Sequence, residues 1–391
     1  MDKLYEIRKR VADYIKRNNM IANEDVVVTG VSGGADSMCL LSLLLELRDI
    51  WNIEIVVVHV HHGIRGQAAD EDMEYVKQFC RLNSVEFEGF HFDIPAIALE
   101  NHISEEEAGR LKRYEAFNIV WERKTAEGKK CKIAVAHNAD DNSETFLFNL
   151  FRGTGIKGLT GISPVRDRII RPVMCLERKD ILDYLLERKT EYRLDETNLE
   201  TDYTRNKVRL KLLPYIEENI NFKARTNINR VAAMLTEINE YMEKQAFAAY
   251  NKNTYSDKGS ECINILQDLW NEDNIIVRMV IRIAVEGVAG RLKDITSKHI
   301  DSIAELGNNQ VSRSVDLPYG LRAVKTYKGI TIKKVNKVKM SENKRTEEKK
   351  AGKPEDKNQE FRLDNLPDGR YVAELDQGYM TFCIEKNTSL D

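Results

Sequence analysis

The sequence predicts an α/β fold built on a doubly wound, mostly parallel sheet, followed by a mainly helical second region that carries a small sheet. Three observations predict it. From residue 25 to about residue 186, short β-branched runs alternate with helical stretches, the pattern of successive βα units. Residues 26–28 and 55–58 are continuously apolar, as strands buried on both faces require. After Pro214 the alternation stops and long helical patterns take over.

Taken in order, residues 3–18 place Leu4, Ile7, Val11 and Ile15 at helical spacing, so one apolar stripe faces a core. Strands are expected at VVVTG (26–30), IEIVVVHV (53–60), EFEGFHF (86–92), KIAVAH (132–137) and RIIRPV (168–173), with helices between them. Ligands in such folds bind outside the carboxyl ends of the strands. Residues 226–250 and 273–286 read as long helices, the first with Ile228, Val231, Ala232, Leu235 and Ile238 on one face. A short helix through Ile300, Ile303 and Leu306 follows, and then Pro318, Gly320 and Gly329 punctuate short strands as turns would. Residues 336–360 combine dense mixed charge with almost no apolar content, the composition of a disordered linker. The expected divisions are thus 1–215, 216–335, a linker at 336–360, and the start of an incomplete domain at 361–391.

Composition narrows the class. The 391 residues are 42% hydrophobic and 31% charged, with 7 Pro and 21 Gly, which excludes collagenous and wholly disordered chains. The longest apolar stretch, residues 38–45, stops at Glu46, far short of the roughly 18 to 20 residues that span a bilayer. The charged opening segment lacks the apolar core of a signal peptide, so a cytosolic protein is expected. Six cysteines are scattered without a CxxC, which points to neither a disulfide framework nor a thiolate zinc site. With 60 Lys and Arg against 63 Asp and Glu, any nucleic-acid partner must be held by a local basic patch.

The most informative segment is VVVTGVSGGADSMCLLSLLLEL, a buried strand, a loop with Gly30, Gly33 and Gly34, and then Asp36 and Ser37 opening an apolar helix. Strand, glycine loop and helix N-terminus together form an anion site. Ser32 and Ser37 add hydroxyl donors, and the helix dipole favours negative charge. Asp36 would repel a bare phosphate; it makes sense if Mg²⁺ bridges it to phosphate oxygens. The segment is not a Walker A loop, since the chain contains no GxxxxGK[ST].

The run Ser32-Gly33-Gly34-Ala35-Asp36-Ser37 resembles the PP-loop, SGGxDS, of the ATP pyrophosphatases. That resemblance implies a PP-loop ATPase sheet and cleavage of ATP between its α- and β-phosphates. HVHHGIRG (59–66), EEAGRLKRY (106–114), AHNADDNSET (136–145), RGTGIKGLTGI (152–162) and DETNLETDYTRNKVRLKLLP (195–214) resemble, in order, successive blocks of the tRNA(Ile)-lysidine synthetase family. The resemblance implies an enzyme that adenylates the wobble cytidine of a CAU-anticodon tRNA(Ile) with ATP and Mg²⁺, then ligates L-lysine to C2, releasing pyrophosphate and AMP. It allows a homodimer. Two alternatives stay open: a truncated or non-catalytic tRNA-binding homologue, and another PP-loop tRNA modifier such as a 2-thiolation enzyme, which would need a sulfur relay.

Other constellations are read with their structural alternatives. His59 and His61 share a strand face while His62 turns away; the resemblance places His61 and this strand end beside the nucleotide. Asp140, Asp141 and Glu144 converge on one helix face, although Asp141 to Glu144 also fits a helix-capping box with Asp141 as cap. By resemblance Asp141 and Glu144 recognise the cationic lysine, His137 lies near the phosphates and Asp140 supports the site; Asn142 stands where Gln is usual. Gly153 to Gly158 satisfies GxGxxG, yet it follows a helical run rather than a strand, against a dinucleotide site. The resemblance makes this a loop near the reacting base, with Arg152 and Lys157 able to meet phosphate. Arg110 and Arg113 share a helical face that the resemblance turns towards the active site, and Gly109 stands where Ala is expected. Arg205, Lys207, Arg209, Lys211, Lys223 and Arg225 form a basic cluster suited to an RNA backbone, preceded by Asp195, Thr197 and Asn198 and joined by Asn206, which match the family.

Overall fold

The structure is a computed structural model that describes residues 3–64, 66–193, 204–256, 261–335, 369–375 and 378–384. Helix α1 (Lys3–Arg17) buries Ile7, Val11 and Ile15, the stripe read from its spacing. Then come β1 (Val26–Gly30), α2 (Ala35–Trp51), β2 (Glu54–His61), α3 (Gln67–Leu82), β3 (Glu86–His91), α4 (Ile94–Asn101), α5 (Glu105–Ala126) and β4 (Cys131–Ala134). Next are α6 (Ala139–Phe151), the one-turn α7 (Ile156–Leu159), β5 (Val165–Arg166), β6 (Ile169–Ile170) and α8 (Arg178–Arg188).

These strands form one sheet in the order β3-β2-β1-β4-β6-β5. The pairs β3–β2, β2–β1, β1–β4 and β4–β6 are parallel, and only β5 runs antiparallel, to β6. The expected fifth strand, 168–173, is cut to this two-residue hairpin. Asp167 turns the chain at φ 55°, and Pro172 cannot supply a ladder N–H. Helix α2 is buried almost all round, with Met38, Leu40, Leu41, Leu43 and Leu44 each at most 1% exposed. Its N-terminus is thereby held rigidly at the end of β1.

Helices α9 (Thr204–Lys207) and α10 (Leu213–Asn219) flank a π-helical turn, Val208–Leu212. Helix α11 (Ala224–Asn253) then runs 30 residues. Near its start Ala232, with Ile228 and Leu235, packs on Phe146 and Leu147 of α6; near its end Ala246 and Ala249 join a second core. Val231 and Ile238 are not part of that face as expected but are exposed, because the i, i+4, i+7 stripe of Ile228, Ala232 and Leu235 already fills the contact with α6. The second core is completed by β7 (Thr254–Tyr255), β8 (Cys262–Leu266), α12 (Asn274–Ala289), α13 (Ser297–Leu306), β9 (Ser314–Leu317), β10 (Leu321–Thr326) and β11 (Gly329–Lys334). Their antiparallel sheet has the order β7-β8-β11-β10-β9, two strands more than the turn residues signalled.

By contacts the chain divides into two compact units, 1–335 and 336–391. The described part of the second is a hairpin of β12 (Gly369–Leu375) and β13 (Gly378–Ile384). The expected linker, 336–360, lies outside the described residues. Among the described residues no helix is long and apolar enough to cross a membrane.

Candidate active site

The carboxyl ends of β1, β2 and β4 open into a cleft of about 540 Å³. Its floor is the glycine loop. Gly30 ends β1 where a Cβ would lie 2.3 Å from the Phe117 ring of α5, and Gly33 sits at φ +90°, a conformation side chains disfavour. Ser37 turns back on the loop, donating from Oγ to the Gly34 carbonyl at 2.9 Å and accepting the Ser32 N–H at 3.2 Å. Ser32 Oγ lies 3.3 Å from Ser37 Oγ, and the Arg193 N–H donates to the Gly33 carbonyl at 2.9 Å. The loop is therefore pre-shaped, with Ala35 and the N-terminus of α2 facing the cleft as an anion cradle.

Above the loop the lining is cationic. Arg110, Arg113, Arg178, Arg193 and Arg209 face Asp36 and Asp72, a balance that suits a polyphosphate. Arg110 and Arg113 line this cleft beside Tyr114, whose ring lies 5.3 Å from the Arg110 guanidinium carbon. His61, within 3.4 Å of Asp70, His62 and His137 line the same cleft. Buried His59 has its Nδ1 2.8 Å from the Val31 carbonyl, which ties β2 to the loop.

Asp36 accepts from Asn138 Nδ2 at 3.0 Å and from Arg178 Nη1 at 2.5 Å. Asn138, not Asp141, caps α6: its Oδ1 accepts the N–H groups of Asp140 and Asp141 at 2.9 and 3.0 Å. Asp141 closes the box as the third helical residue, its Oδ2 accepting the Asn138 N–H at 3.0 Å. The Asp-first capping reading is corrected by one turn, because the helix begins at Ala139. The other Asp141 oxygen faces outwards, 3.4 Å from Arg205 Nη2.

Glu144, one turn on, is 2% exposed. Its Oε2 accepts from Arg205 Nε at 3.1 Å, and its Oε1 lies 3.6 Å from Arg209 Nε. Burial, and then the charge of Asp141, pushes its carboxyl above the usual range against the pull of the two arginines. Asp140 is raised mainly by burial as well and is held by Arg225 Nη1 at 3.2 Å and by the Arg178 N–H at 3.3 Å. His137 accepts at Nδ1 from Arg171 Nε at 3.4 Å. Burial, then Arg171, Arg205, Arg110 and Arg113, holds its pKa down to about 3, so it is a neutral imidazole.

Arg152 and Lys157 do not line the cleft. Arg152 stacks on Phe148, 4.1 Å from its ring centre, and Lys157 pairs with Glu243 of α11 at 3.0 Å. Gly153, at φ +71°, follows the end of α6 as a helix-terminating glycine. Of the basic cluster, Arg205, Arg209 and Arg225 are turned onto carboxylates, while Lys207, Lys211 and Lys223 are exposed. Asn142 is a structural clip: its Nδ2 donates to Asn229 Oδ1 at 2.9 Å and its Oδ1 accepts the Ile162 N–H at 2.7 Å. Asp195, Thr197 and Asn198 lie outside the described residues.

Sequence reasoning missed Asn138, Arg178, Arg193 and Arg171. Asn138 was findable, since Asn followed three residues later by Asp is a capping pattern. The arginines arrive from distant segments and carry no local signal. Among the described residues no cysteine lines the cleft, and burial raises the thiols of Cys80 and Cys175 to about 12.

A profile of the PP-loop domain matches residues 4–216. The tRNA(Ile)-lysidine synthase of Clostridium acetobutylicum is 41% identical over 324 residues, covering 83% of this chain and 69% of that protein. This chain belongs to the tRNA(Ile)-lysidine synthases. The synthase of Clostridium perfringens is 37% identical over 95% of this chain and 79% of its own, and that of Chlorobaculum tepidum is 31% identical over 81% and 93%. The lysidine-synthase assignment makes the protein an ATP-using ligase of the PP-loop class, and the glycine loop lies within the matched PP-loop domain.

The site also fits a magnesium ion. Among the described residues no group of three or more His, Cys, Asp or Glu side chains could hold a metal unaided. Mg²⁺ ordinarily takes one or two carboxylates, with phosphate and water oxygens completing its shell. Asp36, in the cleft beside the loop, meets that requirement once nucleotide phosphates are present.

Proposed function

We propose that this protein forms lysidine: it uses ATP to join L-lysine to C2 of the wobble cytidine in a CAU-anticodon tRNA(Ile). The observation that carries the reading is the linkage of Asp36 in the glycine loop to the helix that carries the acid pair Asp141 and Glu144, through the single residue Asn138. That linkage supports phosphate chemistry and amine recognition in adjoining positions.

ATP would lie with its phosphates on the N–H groups of residues 32–37 and among Arg110, Arg113, Arg178 and Arg193. Asp36 would hold Mg²⁺, which supplies charge neutralisation for the departing pyrophosphate. The C2 oxygen of cytidine forms a bond to the α-phosphorus as the bond to the β-phosphate oxygen breaks. The lysine ε-nitrogen then bonds to C2 and AMP departs with the oxygen. An ammonium has no lone pair for this step, so a proton must first leave it; Asp141 and Glu144 are the acceptors in reach. Neutral His137 can contact phosphate as a hydrogen-bond donor through Nε2 without adding charge.

The exposed lysines 207, 211 and 223, with Arg152 and Lys157, would meet the RNA backbone, residues 1–215 carrying the chemistry and 216–335 holding tRNA. A single-stranded anticodon loop presents the base edge that this chemistry needs. A cytosolic location and a homodimer belong to the same reading. The deciding experiment is transfer of labelled lysine, with ATP and Mg²⁺, to CAU-anticodon tRNA(Ile), with tRNA(Met) as control. Label in the first alone is expected; pyrophosphate release without label would point to a different nucleophile.

A further inference from the structure

A buried ionised carboxylate needs a partner, because an unpaired charge inside a protein is strongly destabilising. Glu144 side-chain atoms are only 3% exposed, whereas those of Arg205 are 38% exposed. The guanidinium bridges two acids at once, Glu144 Oε2 at 3.1 Å from Nε and Asp141 Oδ1 at 3.4 Å from Nη2. Arg209 reaches only Glu144, at 3.6 Å. Among the described residues, the one cation that spans Asp141 and Glu144 is thus a residue of the chain itself, with a solvent-facing side through which it can leave.

We propose that Arg205 is an internal stand-in for the substrate ammonium, occupying the position between Asp141 and Glu144 until lysine displaces it. The inference rests on reading those two acids as the lysine site. A lysine ammonium set between the two acids would need the same two oxygens that Arg205 holds, Glu144 Oε2 and Asp141 Oδ1, so lysine binding and the Arg205 bridge compete. Arg205 stands one helical turn before Arg209, on a segment that continues into the π-helical turn 208–212. Such turns are less regular than an α-helix and concentrate at functional sites. Beside it the exposed Lys207 and Lys211 offer cations to the RNA backbone. An RNA phosphate arriving there provides the alternative anion for Arg205 and so releases the lysine site. By linkage, RNA and lysine then strengthen each other's binding by the same factor, and lysine is held off until the base that it modifies is present.

The test is equilibrium binding of labelled L-lysine to the full chain, with and without a CAU anticodon stem-loop. Arg205→Ala is expected to bind lysine about 10-fold or more tightly than the wild type without RNA, the equivalent of one charged hydrogen bond. RNA should tighten lysine binding to the wild type but not to Arg205→Ala. If Arg205→Ala fails to fold, Arg205→Gln, which keeps a hydrogen-bond donor but no charge, carries the same expectation. Equal or weaker lysine binding by the folded variants, with binding still abolished in Glu144→Gln, would overturn the stand-in role and leave the lysine site intact. Undiminished lysine binding by both Glu144→Gln and Asp141→Asn would instead show that the site itself is misplaced.

Discussion

The side-chain amide of Asn138 donates to Asp36 at 3.0 Å while its oxygen caps the helix that carries Asp141 and Glu144. One residue thereby locks the nucleotide loop to the acid pair. Asn138→Asp keeps a good helix cap but sets a second carboxylate against Asp36. Because the new carboxylate is buried beside Asp36, the Tm is expected to fall at neutral pH and to recover on acidification, while ATP-dependent pyrophosphate release falls by at least about 10-fold. Asp36→Ala should lose roughly 10²-fold or more of that release, as when a charge-stabilising group is removed. Thermal unfolding and a pyrophosphate assay separate the two effects, and near-normal release by either variant would contradict the arrangement.

Glu144 carries a stability cost at neutral pH. Its folded pKa is raised, chiefly by burial, so the folded state holds the proton more tightly than the unfolded chain does. The stabilisation from that protonated form is complete below the unfolded carboxylate value and is lost as pH rises through the folded one. Glu144→Gln mimics the protonated form at every pH. Its Tm should exceed that of the wild type at neutral pH, with the gap closing on acidification, while lysine transfer is lost. A lower Tm at neutral pH would show that the arginine pairs outweigh the burial.

His137 behaves in the opposite sense. Its folded pKa is depressed from 6.5 to about 3, so its contribution to stability is present above about 6.5 and drains away as pH falls towards about 3. Its imidazole resonances should not titrate between about pH 5 and 8, where an ordinary histidine does. A midpoint inside that window would contradict the neutral assignment.

Gly109 lies within α5, where a Cβ would meet His62 Cε1 and Nδ1 at 3.4 Å, an ordinary contact. Glycine inside a helix costs about 0.5–1 kcal/mol relative to alanine. Gly109→Ala should gain that amount in denaturant unfolding with pyrophosphate release unchanged. A loss of stability would show that His62 cannot yield.

Local chemistry was legible wherever neighbours in sequence are neighbours in space. The buried strand, positive-φ glycine and helix start of residues 26–37 fall within one βα unit, so the phosphate loop could be read from them directly. The stripe of α1 followed from periodicity in the same way. The face of α11 did not: periodicity nominated Val231 and Ile238 together with Ile228, Ala232 and Leu235, and only docking on α6 chose among them. RIIRPV read as a strand because its composition is that of one, but Asp167 and Pro172 leave it two residues.

Electrostatic assignment was decided only by the tertiary structure. The sequence by itself determined the fold class, the phosphate loop and the helix that carries Asp141 and Glu144, because each depends on contacts within a few residues. It could not show that Arg178 would meet Asp36 from 142 positions away, or that Arg205 would bridge Asp141 and Glu144 from 64 and 61. A charge pair depends on distance and burial, and neither exists until the chain has folded; the same arginines that composition offered to RNA were therefore free, in three dimensions, to turn inwards.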